Sequence, residues 1–200
     1  MPSVRTLSRT TLSLAAVALV VVTSPGHPAS AQSPPPGHKA VVTPWGISSS
    51  AGSTRNAAEW LPKVAAAGVT TVRMFPEWRS FEPKTGTWNW AGGDALVKAA
   101  SDNRIEINAI LMGSPPGTQA VHAFPMDNLD GWSKYVSAVV DRYKDRVHYW
   151  EVWNEGNGGF NDGKHTAVDY AELAIRTYEA AKKADPNAQV GLTVASYDAP

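Results

Sequence analysis

The sequence predicts an α/β fold of the TIM (β/α)8-barrel type, present in part, as five strands and four helices. Three observations point there. Short apolar runs alternate with longer helical patterns over 41–200, and strands joined through helices lie parallel and are covered on both faces. The segment after the first apolar run, "WGISSSAGSTRN", holds neither G-x-G-x-x-G nor G-x-x-x-x-G-K-[ST], so an open nucleotide-binding sheet lacks its usual signature. Distinctive residues gather instead after several different strands, at Trp45, Glu77-Trp78, Ser114-Pro115-Pro116 and Asn154-Glu155, as in a barrel.

Each element has its own warrant. "VVTPWGIS", Val41 to Ser48, predicts the first strand. Asn56 to Ala67 predicts a helix capped by Thr54 or Asn56 and stopped by Gly68. "VTTVRMF", Val69 to Phe75, is rich in β-branched residues and predicts the second strand. A short helix over Asp94–Ser101 and a third strand, "IEINAILM" from Ile105 to Met112, come next. In Asn128–Tyr143, Trp132, Tyr135, Val136, Val139, Val140 and Tyr143 share one face at helical spacing. "VHYWEVW", Val147 to Trp153, predicts the fourth strand. Thr166–Lys183 predicts a helix with Val168, Ala171, Ile175 and Tyr178 as its apolar stripe, ended by Asp185-Pro186-Asn187. "QVGLTVAS", Gln189 to Ser196, predicts the fifth strand. A complete barrel needs eight units and usually about 250 residues, so 41–200 read as the N-terminal part of one, with open edges at the first and fifth strands.

The first 31 residues resemble a secretory signal: Arg5 and Arg9, a short apolar run from Leu12 to Val22, and Ala29-Ser30-Ala31 as a small-x-small cleavage site. A membrane anchor is the alternative, but the run is short for a span. Residues 32–40, with "SPPPG", form a Pro-rich linker. Secretion is therefore expected, with no membrane association after cleavage. Without Arg5 and Arg9 the mature part has 16 basic and 18 acidic residues, which gives no reason to expect nucleic acid as a partner. There is no cysteine, so disulfides and thiolate metal sites are excluded. The five histidines show no ligand spacing, and neither a metal nor another cofactor is predicted.

"HYWEVWNEGNGGF", His148 to Phe160, places Glu151 inside an apolar run and Glu155 at its end. Burying a charge is costly unless it is paired or used. Strand alternation puts Tyr149, Glu151, Trp153 and Glu155 on one side, and Trp150 and Val152 toward the helices. A carboxyl packed on Trp153 and other aromatics would lose hydration, which favours a proton donor.

"EVWNEGN", Glu151 to Asn157, resembles the Trp-Asn-Glu signature of clan A, the retaining glycoside hydrolases with (β/α)8 barrels. "YWEVWNE" is most similar to glycoside hydrolase family 39, the xylosidase/iduronidase group; cellulase- and xylanase-like families carry similar segments. Gly156 departs from the pattern, where Pro is usual. The resemblance implies that Glu155 is the general acid/base, that Asn154 bonds the sugar 2-hydroxyl, and that Arg73 orients the nucleophile. From the residues alone, Arg73 reads equally as the partner of Glu151 or Glu106 in a buried ion pair. The retaining mechanism needs a second carboxylate about 5 Å away, which in the clan ends the seventh strand. Glu77 and Glu82 follow the second strand and do not match that position.

Eight tryptophans suit a carbohydrate partner. Trp45, Trp78 and Trp153, with His122, are the predicted sugar contacts. Trp60, Trp132 and Trp150 are expected in the packing, and Thr85–Trp90 as a hairpin or loop on the barrel. The expected function is thus hydrolysis of a polysaccharide or oligosaccharide, with the nucleophile missing from these residues and the chain alone inactive. The alternative is a non-catalytic carbohydrate-binding or vestigial half-barrel. Self-association is one way such a sheet could close.

Overall fold

A computed structural model describes residues 45–49, 51–118 and 122–195. All of them fall in the unit Val42–Pro200. The signal (1–31), the linker (32–40), the start of the first predicted strand and the end of the fifth lie outside the described residues.

The order is β1 (Gly46–Ser48), a 3-10 turn (Ala51–Asn56), α1 (Ala57–Ala66), β2 (Thr71–Arg73), α2 (Trp78–Phe81), α3 (Ala91–Asp102), β3 (Glu106–Leu111), α4 (Leu129–Tyr143), β4 (Tyr149–Val152), α5 (Ala167–Ala184) and β5 (Gln189–Leu192). The strands form one sheet in the order β1-β2-β3-β4-β5, every pair parallel. This is the predicted α/β succession, with shorter strands and one additional short helix, α2, in the segment after β2 where the sequence carries no helical periodicity.

Helical periodicity places the core. In α4, Trp132, Tyr135, Val136, Val139, Val140 and Tyr143 are all buried, on the face that their spacing predicts. Its N-terminus is closed by Asn128, whose side chain accepts from the Gly131 N–H at 3.2 Å. Glycine at residue 93 of α3 leaves room for the Tyr143 side chain of α4 and the ring of Phe81. A Cβ there would stand 2.3 Å from the Tyr143 hydroxyl and 2.5 Å from Phe81. The 85–90 segment is a tight loop closed by an antiparallel bridge from Lys84 to Thr87, and it stacks Trp88 on Trp90 at 4.9 Å.

Helix α5 departs from expectation. It buries Leu173, Thr177, Ala180 and Ala181, whereas the predicted stripe faces water: Val168 is 78% exposed, Ile175 53% and Tyr178 53%. The helix carries two apolar faces, and α4 takes the other one. Trp132 Nε1 donates to Thr177 Oγ1 at 2.8 Å, and Ser137 Oγ to the Ala180 carbonyl at 3.3 Å.

A bidentate ion pair joins α3 to α4: Arg142 Nε and Nη2 donate to the Asp94 carboxylate at 2.8 and 2.6 Å, and the Tyr143 hydroxyl donates to it at 3.0 Å. The hydrogen bond from Arg142 is the main reason the Asp94 carboxyl lies below its ordinary value, against some opposing desolvation. A carboxylate held low in the folded state stabilises above its unfolded pKa of about 3.9, and loses that contribution as pH falls through the lower folded value. Melting temperature measured against pH should therefore fall less steeply in acid for Asp94→Asn than for the parent. Identical acid limbs would show that the pair contributes nothing.

Candidate active site

The site is built on β4. Trp150 and Val152 turn to the helix side and are buried, while Glu151 turns to the inner side of the sheet. Its carboxylate accepts from Arg73 Nε at 2.7 Å and Nη2 at 2.6 Å, and from Asn108 Nδ2 at 2.9 Å. The buried charge is thereby paired and hydrogen-bonded, as a low-dielectric position demands. Arg73 Nη2 also donates to Asn154 Oδ1 at 2.8 Å, and Nη1 to Ser48 Oγ at 3.2 Å. One guanidinium thus ties β1, β2 and β4 across the inner face. Its pKa is raised, first by the hydrogen bond to Glu151 and further by the charges of Glu151 and Glu155, against a lowering by burial. Of the two readings of Arg73, the ion pair is seen, with Glu151 and not Glu106, and the same guanidinium also holds Asn154.

Beyond Val152 the alternation breaks. Trp153 has φ of 64° and Glu155 φ of 47°, both in the left-handed region that costs an L-residue about 1–2 kcal/mol. Trp153 keeps its place in the ladder, donating its N–H to the Leu111 carbonyl at 2.9 Å. Its ring, however, swings to the helix side and is buried. There it packs edge-on against Phe124 at 5.1 Å and donates Nε1 to the Phe160 carbonyl at 2.7 Å. The predicted sugar contact at Trp153 is therefore corrected, and so is its role as the wall beside Glu155.

Asn154 and Glu155 are left at the C-terminal end of β4, in a cleft of about 560 Å³. Its polar lining is Ser48, Ser49, Arg73, Glu77, Asn154 and Glu155; Phe75, Ile110, Met112, His122 and Phe160 complete it. With Asn154 Oδ1 occupied by Arg73, the amide NH2 is the donor left for a ligand. His122 lines this cleft, its ring 4.5 Å from that of Phe160. Its loop is joined to the loop after β4 twice: the His122 N–H donates to Asp162 Oδ2 at 3.1 Å, and the Asp162 N–H to the His122 carbonyl at 3.3 Å.

Two further predicted contacts are also corrected. Trp78 opens α2 with its ring buried, stacked on Tyr135 at 5.3 Å and donating Nε1 to Glu82 at 2.7 Å. Trp45 is 72% exposed but precedes β1. Its carbonyl accepts from the N–H groups of Thr70 and Thr71 at the N-terminal end of β2, the rim opposite Glu155. The first strand, predicted over Val41 to Ser48 with Trp45 toward its end, is seen as Gly46–Ser48 among the described residues, which puts Trp45 before it. Ser48, Asn108 and Phe160 carried no motif that singled them out, and Glu77, set aside as a nucleophile, lines the cleft all the same. Ser48 and Asn108 were open to the alternation argument, since they pair in register with Arg73. A larger groove of about 730 Å³ runs outside the sheet between α4 and α5, and holds none of these residues.

Residues 64–199 match the sequence profile of glycosyl hydrolase family 10. The chain belongs to that family. Among curated relatives, endo-1,4-beta-xylanase A of Halalkalibacterium halodurans is 29% identical over 129 residues, 52% of this chain and 32% of the relative. Endo-1,4-beta-xylanase C of Phanerodontia chrysosporium is 28% identical over 136 residues, 62% of this chain and 33% of the relative. The family 10 chain thus spans about a third of the length of these relatives.

Solved structures agree on the fold. A family 39 beta-xylosidase from Caulobacter crescentus superposes with TM-score 0.61 at 23% identity, covering 76% of this chain and 40% of that one. A family 39 glycoside hydrolase from Bacteroides cellulosilyticus gives 0.61 at 19%, covering 76% and 32%. A psychrophilic family 10 endo-beta-1,4-xylanase gives 0.52 at 20%, covering 74% and 51%. The expected clan holds: the sequence places the chain in family 10, and family 39 enzymes share its fold.

Proposed function

We propose that this chain supplies the acid/base half of a secreted, retaining glycosidase acting on β-1,4-linked xylan or a closely related polysaccharide. The observation that carries the reading is Glu155 at the end of the fourth strand, in a cleft beside an Asn154 oriented by Arg73. The relatives' printed activity supplies the substrate class. In the first step Glu155 protonates the glycosidic oxygen as the bond to the anomeric carbon breaks. In the second it takes a proton from the water that attacks the glycosyl intermediate. Asn154 donates to the sugar 2-hydroxyl, a contact that strengthens in the transition state. The nucleophile must sit about 5–5.5 Å from Glu155. Glu82 is held by Trp78 and the Gly86 N–H; Glu77 lines the cleft but follows the second strand, not the seventh, where the clan resemblance puts the nucleophile, so neither is assigned that role. The nucleophile comes from further strand–helix units, and the chain alone does not hydrolyse. Secretion follows the reading of residues 1–31.

The open side of the sheet indicates what those units must look like. At about 100° per residue, Val168, Ala171, Ile175 and Tyr178 lie roughly opposite the face that α5 turns to α4. A helix beside α5, followed by a strand beside β5, covers both the stripe and the exposed Leu192 and Val194. A second copy pairing its β1 with this β5 would close the edge but bring no described helix beside α5, since α1 follows β1.

Titration with xylotriose, followed by amide resonances, tests the site. The amides of Arg73, Asn154, Glu155 and His122 should move together. Their remaining still at saturating sugar would remove the carbohydrate reading. Release of phenol from an aryl β-xyloside by this chain, abolished in Glu155→Gln, would overturn the external nucleophile.

A further inference from the structure

The β4–β5 ladder ends in an unusual way. Its first rung is direct: the Gln189 N–H donates to the His148 carbonyl at 2.8 Å. The parallel register, Tyr149 with Gln189 through Val152 with Leu192, repeats every two residues and puts the Thr193 N–H opposite the Val152 carbonyl. That rung is not direct. The Tyr170 hydroxyl stands in it, accepting from the Thr193 N–H at 2.9 Å and donating to the Val152 carbonyl at 2.9 Å.

The hydroxyl comes from a rigid support. Tyr170 lies in the first turn of α5, fixed by a capping box in which the Thr166 N–H donates to Asp169 Oδ2 at 2.7 Å and the Asp169 N–H to Thr166 Oγ1 at 3.3 Å. Its ring is 5.7 Å from Phe124, and residue 156 passes so close that a Cβ there would meet Phe124 at 2.7 Å and Tyr170 at 3.4 Å. Gly156 is thus the residue that fits this passage. Burial raises the Tyr170 pKa above that of free tyrosine, so the group stays a donor at neutral pH. The left-handed residues Trp153 and Glu155 follow at once on the strand so opened. Farther out, the Ala195 N–H donates to Asn157 Oδ1 at 2.6 Å, which carries the separated β5 tail over the loop after Glu155.

We propose that Tyr170 is a positioning residue for Glu155: its hydroxyl, inserted as the last rung, holds the ends of β4 and β5 apart so that the chain turns at Trp153 and delivers Glu155 to the cleft. The inference rests on the reading of Glu155 as acid/base for its functional meaning, though not for its geometry. Without the hydroxyl, Thr193 and Val152 either bond directly, drawing Glu155 with them, or stay apart as an unsatisfied pair, which is costly.

The test uses the full chain with ¹³C-labelled glutamate carboxyls, the Glu155 resonance being the one absent from Glu155→Gln. In Tyr170→Phe that resonance should move while the Glu151 resonance stays, and the Thr193 amide should exchange about tenfold faster, the worth of one hydrogen bond. Replacing Tyr170 by 4-aminophenylalanine, which restores a donor, should return the Glu155 resonance toward its original place. A Tyr170→Phe chain that only melts earlier, with Glu155 unmoved, would reduce Tyr170 to packing and overturn the proposal. The unsubstituted chain offers a check that needs no variant. The Tyr170 hydroxyl proton should show a cross-relaxation peak to the Thr193 amide, and a scalar coupling directly across Thr193 N–H to the Val152 carbonyl would exclude the insertion. These measurements read position, not turnover, so they stand or fall separately from the acid/base role.

Discussion

A Glu155→Gln chain, placed in a barrel closed by further strand–helix units, is expected to hydrolyse xylan about 10²–10⁴-fold more slowly than the parent. Glutamine keeps the size of the side chain and its place beside Asn154, but has no proton to give. The effect should depend on the leaving group. A sugar alkoxide must be protonated as it departs, whereas a dinitrophenolate leaves unaided. With a dinitrophenyl xyloside the first step is therefore spared. The second step still lacks the base that activates water, so the glycosyl intermediate accumulates and kcat and KM fall together. A uniform loss of a few-fold on both substrates would remove Glu155 from the proton transfer.

Trp78→Ala is expected to lower the stability of the chain by about 3–5 kcal/mol, the range for truncating a buried tryptophan, and to leave xylotriose affinity within about twofold. The ring is enclosed between Tyr135 and Trp132, at 5.3 and 5.8 Å. Its loss also leaves the largely buried Glu82 carboxylate with the Gly86 N–H as its remaining hydrogen bond here, at 2.6 Å. Urea unfolding and a sugar titration on the same variant separate the two roles. Lost affinity at unchanged stability would restore Trp78 as a sugar platform.

The succession of strands and helices was legible because it rests on periodicity, which survives the absence of tertiary information. So was the position of Glu155, since a polar signature at the end of the fourth apolar run needs only a count. What failed depends on single dihedral angles and on neighbours. Alternation assigned Trp153 to the inner side, and one left-handed residue at that position reversed it. Trp78 was read from its place after a strand, but a one-turn helix begins there and folds the ring inward. Trp45 was read as lying toward the end of a strand running from Val41 to Ser48, whereas the described strand begins only at Gly46. In α5 the pattern held two apolar faces, and periodicity alone does not say which is buried first. Arg73 shows the opposite case: the residue types left its partner open between Glu151 and Glu106, and the side-chain geometry decided it, with the guanidinium on the Glu151 carboxylate.

The stripe on α5 has a thermodynamic consequence. Val168, Ile175 and Tyr178, with Leu192 at the end of β5 and Val194 just beyond it, are wetted already in the folded chain. Unfolding therefore newly hydrates less hydrocarbon than the length of the chain implies. Both the heat-capacity increment and the denaturant slope scale with newly hydrated area, so each should be low for a domain of this size. Each should rise toward the ordinary value once a helix and strand cover that side.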